Sequence, residues 1–197
     1  MRPLDADRGY SLLEVLFVVS LGITMSAVAV PQYLAAIDDF RASGAARYVS
    51  ARLQRARMEA VMRSTSVAIQ FAQTPGGYSY TGYLDGNGNG VLAQDIRTGV
   101  DRLVNATERL RDHFSGVDFG AVPGLPPIDP GGPAPGNDPI RLGASNLASF
   151  TALGTSSTGT VYIRGRRDAQ YAVRIFGDTG KTRLLKFVRQ TGRWSPL

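Results

Sequence analysis

The chain has 197 residues, with 22 basic and 16 acidic side chains, one histidine and no cysteine. That length suits one domain with an appendage, and 43% hydrophobic against 19% charged residues allows a packed core and excludes wholesale disorder. Without cysteine there are no disulfides, thiolate metal sites or thiol nucleophiles, and His113 alone cannot build a multi-histidine metal site, so catalysis starts without support.

Residues 1–9 form a polar leader ending in Arg8-Gly9. From Val15 to Val30 the chain is apolar apart from Ser20, Gly22, Thr24 and Ser26, and Tyr10 to Val30 gives 21 residues, about the 20 a bilayer span needs. The run also suits a signal peptide, but no Ala-x-Ala-like site follows, and it passes through Pro31 into a helical pattern. Glu14 lies near the start of the apolar run, where a carboxylate costs a few kcal/mol unless paired. A cut after Gly9 would free an amine on Tyr10, a cation that a neighbouring subunit's Glu14 can meet.

The stretch Gly9-Tyr10-Ser11-Leu12-Leu13-Glu14-Val15-Leu16 resembles the class III signal of type IV prepilins and type II secretion pseudopilins. The resemblance implies that a prepilin peptidase cuts after Gly9 and methylates Tyr10, and that Glu14 guides assembly. It also implies that Pro31 is the proline that kinks the family's stem helix. Tyr10 departs from the usual phenylalanine but keeps the ring. A plain transmembrane anchor is the simpler alternative.

Beyond Pro31, Tyr33, Ile37, Phe40, Ala45, Val49, Leu53, Ala56 and Ala60 recur at steps of three or four, with one five-residue break. This reads as an amphipathic stripe. Arg41, Arg47, Arg52, Arg55, Arg57 and Arg63 fall on the other face, read first as solvated and second as a lipid or partner contact. The expected organisation is a leader at 1–9, a transmembrane half-helix at 10–31, an amphipathic half at 32–64, and a β-rich domain at 65–197.

In that domain Val67, Ile69 and Phe71 alternate with polar neighbours, and residues 78–83 follow the turn Pro75-Gly76-Gly77. Further strands are expected at Val117–Phe119, Thr160–Arg164, Ala169–Phe176 and Thr182–Val188, the last two joined by the turn Gly177–Gly180. Residues 119–140 hold seven of the eleven prolines and five glycines, which predicts an exposed loop without regular structure. The fold class is α+β, a lollipop with a long helix packed on a mostly antiparallel sheet.

Asp85-x-Asn87-x-Asn89-Gly90 has the opening spacing of a calcium loop, so Asp85, Asn87 and Asn89 are candidate ligands. The twelfth position is Ile96, however, and Asn-Gly pairs also make hairpin turns, the favoured reading. His113 reads as a surface residue, and Glu108, Asp112 and Asp118 offer no evident acid/base pair.

The basic charge is concentrated at the end of the chain. Residues 161–197 carry nine arginines and lysines against two aspartates, a net of +7, whereas the rest, 13 basic and 14 acidic, carries −1. Arg164, Arg166, Arg167, Arg174, Lys181, Arg183, Lys186, Arg189 and Arg193 are interleaved with Tyr162, Tyr171, Phe176, Phe187 and Trp194, the parts of a nucleic-acid surface. Solvated strand faces are the first reading; DNA contact through Arg164, Arg166, Arg167, Lys181, Arg183 and Arg193 is the second, and an acidic protein partner the third.

Asp85–Gly90, Glu108–Arg111, Gly116–Phe119 and Thr191–Trp194 are similar, in order, to landmarks of the pseudopilin H/FimT-like domain. The long Pro/Gly segment departs from its compact pattern. The resemblance implies a non-enzymatic minor pseudopilin without cofactor, anchored by one pass in the inner membrane with its globular domain in the periplasm. Its partners would be other pseudopilins or pilins through the N-terminal helix, the prepilin peptidase and the inner-membrane assembly platform. The alternative on the same scaffold is a FimT-like minor pilin that contacts DNA during uptake.

Overall fold

The computed structural model describes residues 10–197, so Gly9 and the leader lie outside the described residues. The described chain divides into two compact units, one ending at Ile37 and one running from Asp38 to Leu197. The fold is α+β. One helix, α1 (Leu12–Arg63), belongs to both units. Its first part meets the length and composition of a membrane span, and every residue from 10 to 36 is exposed. The helix continues through Pro31 although proline has no N–H to bond the carbonyl one turn back.

The second unit begins with the rest of α1 and continues through β1 (Val67–Thr74), β2 (Gly77–Leu84), α2 (Ala93–Thr98), β3 (Arg102–Arg109), α3 (Leu110–His113) and β4 (Asp118–Phe119). It ends with β5 (Ile140–Arg141), β6 (Leu147–Phe150), β7 (Gly159–Arg164), β8 (Gln170–Ile175), β9 (Thr182–Val188) and β10 (Arg193–Pro196). Two sheets form, ordered β3-β2-β1-β6 and β10-β9-β8-β7-β4, with β5 also on β7. All their pairings are antiparallel.

The helix buries Asp38, Ala42, Ala45, Ala46, Val49, Leu53, Ala56 and Ala60. The expected stripe is therefore right from Ala45 onward and wrong before it: Phe40 is 81% exposed and Tyr33 67%. The five-residue step from Phe40 to Ala45 turns about 140° away from a common face at 3.6 residues per turn. Counting back from Ala45 by three and four gives Ala42 and Asp38 instead, and a buried aspartate does not register as a core position in a hydrophobic pattern. The alanines let the backbone approach both sheets. Val67, Ile69, Phe71 and Phe150 from one sheet and Val161, Ile163, Val173 and Ile175 from the other close the core on this face. Phe119 bridges the sheets, edge-on to Phe71 with centroids 5.3 Å apart.

The Pro/Gly segment has no regular element between β4 and β5 and about half of its residues are exposed, as expected, but it is also anchored: Leu125 is 4% accessible and Pro135 under 2%. It crosses the outer face of the second sheet, where Ala121 and Ile128 pack with Trp194 on Tyr162, Ala172 and Leu185. Gln170 stitches it down, donating to Gly120 O at 3.2 Å and accepting from Val122 N–H at 2.9 Å. Trp194 Nε1 donates to Pro126 O at 3.0 Å.

Candidate functional site

At the helix start, Tyr10 is 82% exposed and the Ser11 hydroxyl accepts the Glu14 N–H at 3.2 Å. Ser11 and Glu14 have the spacing of a capping box, and a carboxylate in the first turn also suits the positive end of the helix dipole. Glu14 thus has a local reason for its place, independent of any neighbour. Leu12, Leu13, Leu16, Phe17, Val18 and Ile23 around it are each at least 62% exposed. A helix apolar on all sides needs lipid or other chains around it.

The candidate basic residues do not form one patch. Arg166 and Arg167 sit in the β7–β8 turn and Arg193 opens β10, beside the Arg189 turn. Lys181 and Arg183 lie at the opposite end of β8, where Arg183 pairs in register with Arg174. Arg164 is tied to Asp168, which also takes Arg189 at 3.3 Å. The hydrogen bond from Arg164 holds the Asp168 carboxyl below its ordinary value, with burial opposing and Arg189 helping. Arg166, Arg167, Lys181, Arg183 and Arg193 are exposed.

Two carboxylates that the sequence reading passed over organise this end of the sheet. Asp38, buried on α1, accepts the main-chain N–H of Arg166 at 2.7 Å and of Arg167 at 2.8 Å. Gly165 permits this approach, since a Cβ there would stand 2.6 Å from Asp38 Oδ2. Asp39 accepts the Tyr171 hydroxyl at 2.8 Å and Lys186 Nζ at 2.7 Å. The Asp39 hydrogen bond raises the Lys186 pKa, while burial first and Asp39 second raise that of Tyr171. Adjacent aspartates after an apolar stretch are the signal that could have marked where the helix docks.

Glu108 is a third such hub. It accepts Tyr48 at 2.7 Å and Tyr80 at 3.0 Å, lies 3.2 Å from His113 Nε2, and pairs with Arg52. Burial, then Tyr48, pushes the Tyr80 hydroxyl up, with Arg52 opposing. Arg52 is therefore not on a solvated face, nor is Arg57, whose Nε donates to Gly154 O at 2.8 Å; Arg41, Arg47, Arg55 and Arg63 are exposed. His113 is exposed, as expected of a surface residue, and its Nε2 also reaches this hub. Asp118 is bound to Arg111 instead.

Asp85, Asn87 and Asn89 do come together, in the 85–101 connection between β2 and β3. It is longer than an Asn-Gly hairpin and contains α2. The Asp85 carboxylate accepts the N–H groups of Asn87, Gly88 and Gly90 at 3.1, 2.8 and 2.7 Å. The Asn87 and Asn89 amides both donate to Asp95 Oδ2, and Asp101 accepts from Gly86 and Leu92 N–H. The carboxylates hold the loop through its own backbone. Among the described residues no group of three or more His, Cys, Asp or Glu is placed to hold a metal ion.

A family model described as type II transport protein GspH matches residues 45–179, about two thirds of the chain. The match runs from the packed part of α1 to the turn after β8, and leaves out the apolar part of α1, β9 and β10. No curated protein matches the chain, and no solved structure does.

Proposed function

The chain belongs to the GspH family of type II transport proteins, and on that premise we propose that it is a minor pseudopilin, a structural, non-enzymatic subunit of the pseudopilus of a type II secretion system. In this reading the precursor enters the inner membrane through residues 10–31, with the globular unit in the periplasm. The prepilin peptidase cuts after Gly9 and methylates Tyr10. The assembly platform then packs the apolar helix among those of other pseudopilins, Glu14 meeting a neighbour's terminal amine and Pro31 giving the stem a point of bend. The observation that carries this is the first part of α1: 27 consecutive residues, 10 to 36, are exposed to the last one although most are apolar.

Co-expression with a prepilin peptidase and intact-mass analysis test it. The expected product has lost residues 1–9 and gained one methyl group, and Gly9→Val blocks both changes. An unchanged mass beside a peptidase active on its own substrate overturns the reading. Glu14→Val separates processing from assembly: it is cut normally yet enters the fibre poorly, and normal incorporation would remove the role given to the carboxylate.

The FimT-like reading has one observation in its favour, the exposed Arg166, Arg167 and Arg193 at one end of the second sheet. Lys181 and Arg183 lie at the other end, a length of β8 away, so the six candidates do not track one backbone.

A further inference from the structure

The Pro/Gly segment does more than cover the second sheet. Between it and the outer face of β7 and β8 lies a cavity of about 370 Å³, lined by Arg141, Arg174, Tyr162, Asp129, Asp138 and Pro133 among others. Its size falls in the range of small-ligand sites, about 300–1,000 Å³. We propose that this cavity binds a short peptide through its free carboxylate, with Arg174 and Arg141 as the carboxylate's partners.

Arg174 is the central cation of this lining. Its Nη1 donates to Thr160 Oγ1 at 3.2 Å and its Nη2 pairs with Asp129 at 2.6 Å. Its Nε is buried with no partner, the only such side-chain atom among the described residues. Nε and Nη2 form one edge of the guanidinium, the edge on which a carboxylate sits with both oxygens engaged. Asp129 takes one half of that edge and leaves the other unsatisfied, which a buried donor tolerates poorly. Asp129 is itself 54% exposed, on the loop, so water can take it back when a better-seated carboxylate arrives. Arg141 is loosely held, its Nη1 reaching the Ala134 and Pro135 carbonyls at 3.4 and 3.5 Å.

The remaining chemistry selects a peptide over an inorganic anion or a nucleic acid. Two arginines face two aspartates, so the lining is formally neutral, which suits a ligand bearing one carboxylate and not a polyanion. Asp138, whose Oδ1 accepts the Ile140 N–H at 3.0 Å, keeps its second oxygen for an ammonium or amide N–H, and Pro133 with the Tyr162 ring offers apolar wall for a side chain.

Trp194 reports on the site. It is the chain's only tryptophan, its ring lies 5.8 Å from that of Tyr162, and it bonds the covering segment at Pro126. The experiment titrates the full chain in detergent micelles with alanyl-leucine, its C-terminal amide, its N-acetyl derivative and inorganic phosphate, reading Trp194 emission. A saturable change with alanyl-leucine is expected, weakened about tenfold or more in the amide and in Arg141→Gln and Arg174→Gln. Arg97→Gln on α2 leaves it unchanged. Because Arg174→Gln also breaks the Asp129 pair, Arg141→Gln and the amide decide if that variant does not fold. Retained binding of the N-acetyl peptide assigns the site to the C-terminus of a polypeptide; its loss assigns it to free peptides. Equal binding of acid and amide, phosphate binding as tightly as the peptide, an unaffected Arg141→Gln, or no saturable change overturns the proposal.

Discussion

Between residues 12 and 36, α1 carries leucine, valine, phenylalanine and isoleucine around its whole circumference, and all of them are exposed. Between 38 and 60 the same helix presents five alanines with Val49 and Leu53 on one face and buries them. The two stretches meet apolar surface in different ways. Large side chains on every side fit a surrounding of lipid or neighbouring helices, which the chain does not supply to itself. Small side chains on one side let two sheets come close, and the contact is then fixed by charge: Asp38 and Asp39 at one end of the stripe, Arg52 with Glu108 farther along. One stretch is specified for other molecules and one for its own fold.

Truncating a leucine in each stretch tests that contrast most severely. Leu53 is fully buried and Leu16 is 62% exposed. Leu53→Ala should destabilise the globular unit by about 2–5 kcal/mol, the range for a large-to-small change in a core. Leu16→Ala should stay within about 0.5 kcal/mol on the same urea transition in detergent. Comparable losses would show that the first stretch also supports the folded unit, and the contrast would fail.

A smaller effect is expected at Asp38. Asp38→Ala leaves the Arg166 and Arg167 N–H groups without their acceptor, which should lower stability by about 1.5–3 kcal/mol, as for hydrogen bonds to a charged group. Gly165→Ala should act in the same direction, because its Cβ would press on the same carboxylate. If both variants melt with the parent, the charged anchor is not what fixes the stripe.

The residues explain which parts of this arrangement could be read from the sequence. β1 and β2 alternate apolar and polar residues around the turn Pro75-Gly76-Gly77, β8 and β9 are short apolar-rich runs joined by the turn Gly177–Gly180, and their bounds are close to those expected. β3 hides because its pattern is broken: Arg102–Arg109 is charged at both ends, and its pairing with β2 shifts register at Gly82. β6 and β10 have four residues each, too few for a period to show. The loss of phase at Phe40 has a related cause, since the true stripe passes through an aspartate. The anchors at Asp38 and Asp39 left no local pattern because their partners are 128 to 147 residues distant, and Glu108 gathers Tyr48, Arg52, Tyr80 and His113 from three separate elements with no common spacing. The apolar run is local, and was legible for that reason.

Titration of Lys186 and Tyr171 probes the same anchor with a smaller expected change. Lys186 and Tyr171 both hold their protons more tightly in the fold than their ordinary values of 10.5 and 10.0. The folded state therefore binds more protons above about pH 10, and stability should decline as pH rises from there through the folded values. Below about pH 10 this contribution is fully present. Asp39→Asn removes the carboxylate that supports both shifts, so its urea midpoint should fall less between about pH 9.5 and 11.5 than that of the parent. Parallel curves would mean that Asp39 does not set these protonation states.

The smallest expected effect concerns the other exposed surface, the arginines at the end of the second sheet. If they were specified for another molecule in the way the apolar helix is, DNA would be the natural candidate, and affinity would fall with salt at a log–log slope of about −0.9 per phosphate contact on duplex. Arg166→Ala and Arg193→Ala would then each weaken binding and flatten that slope by about one unit. The structure gives a reason to expect otherwise. Arg166 and Arg167 are oriented by their backbone bonds to Asp38, Arg164 is tied to Asp168, and Lys181 and Arg183 point away from the rest by a strand's length. The expected outcome for the full chain in detergent is negligible duplex binding near physiological salt, unchanged by either substitution. Sub-micromolar binding that both substitutions reduce would make this end of the sheet a second surface built for a partner, and would favour the FimT-like reading over secretion.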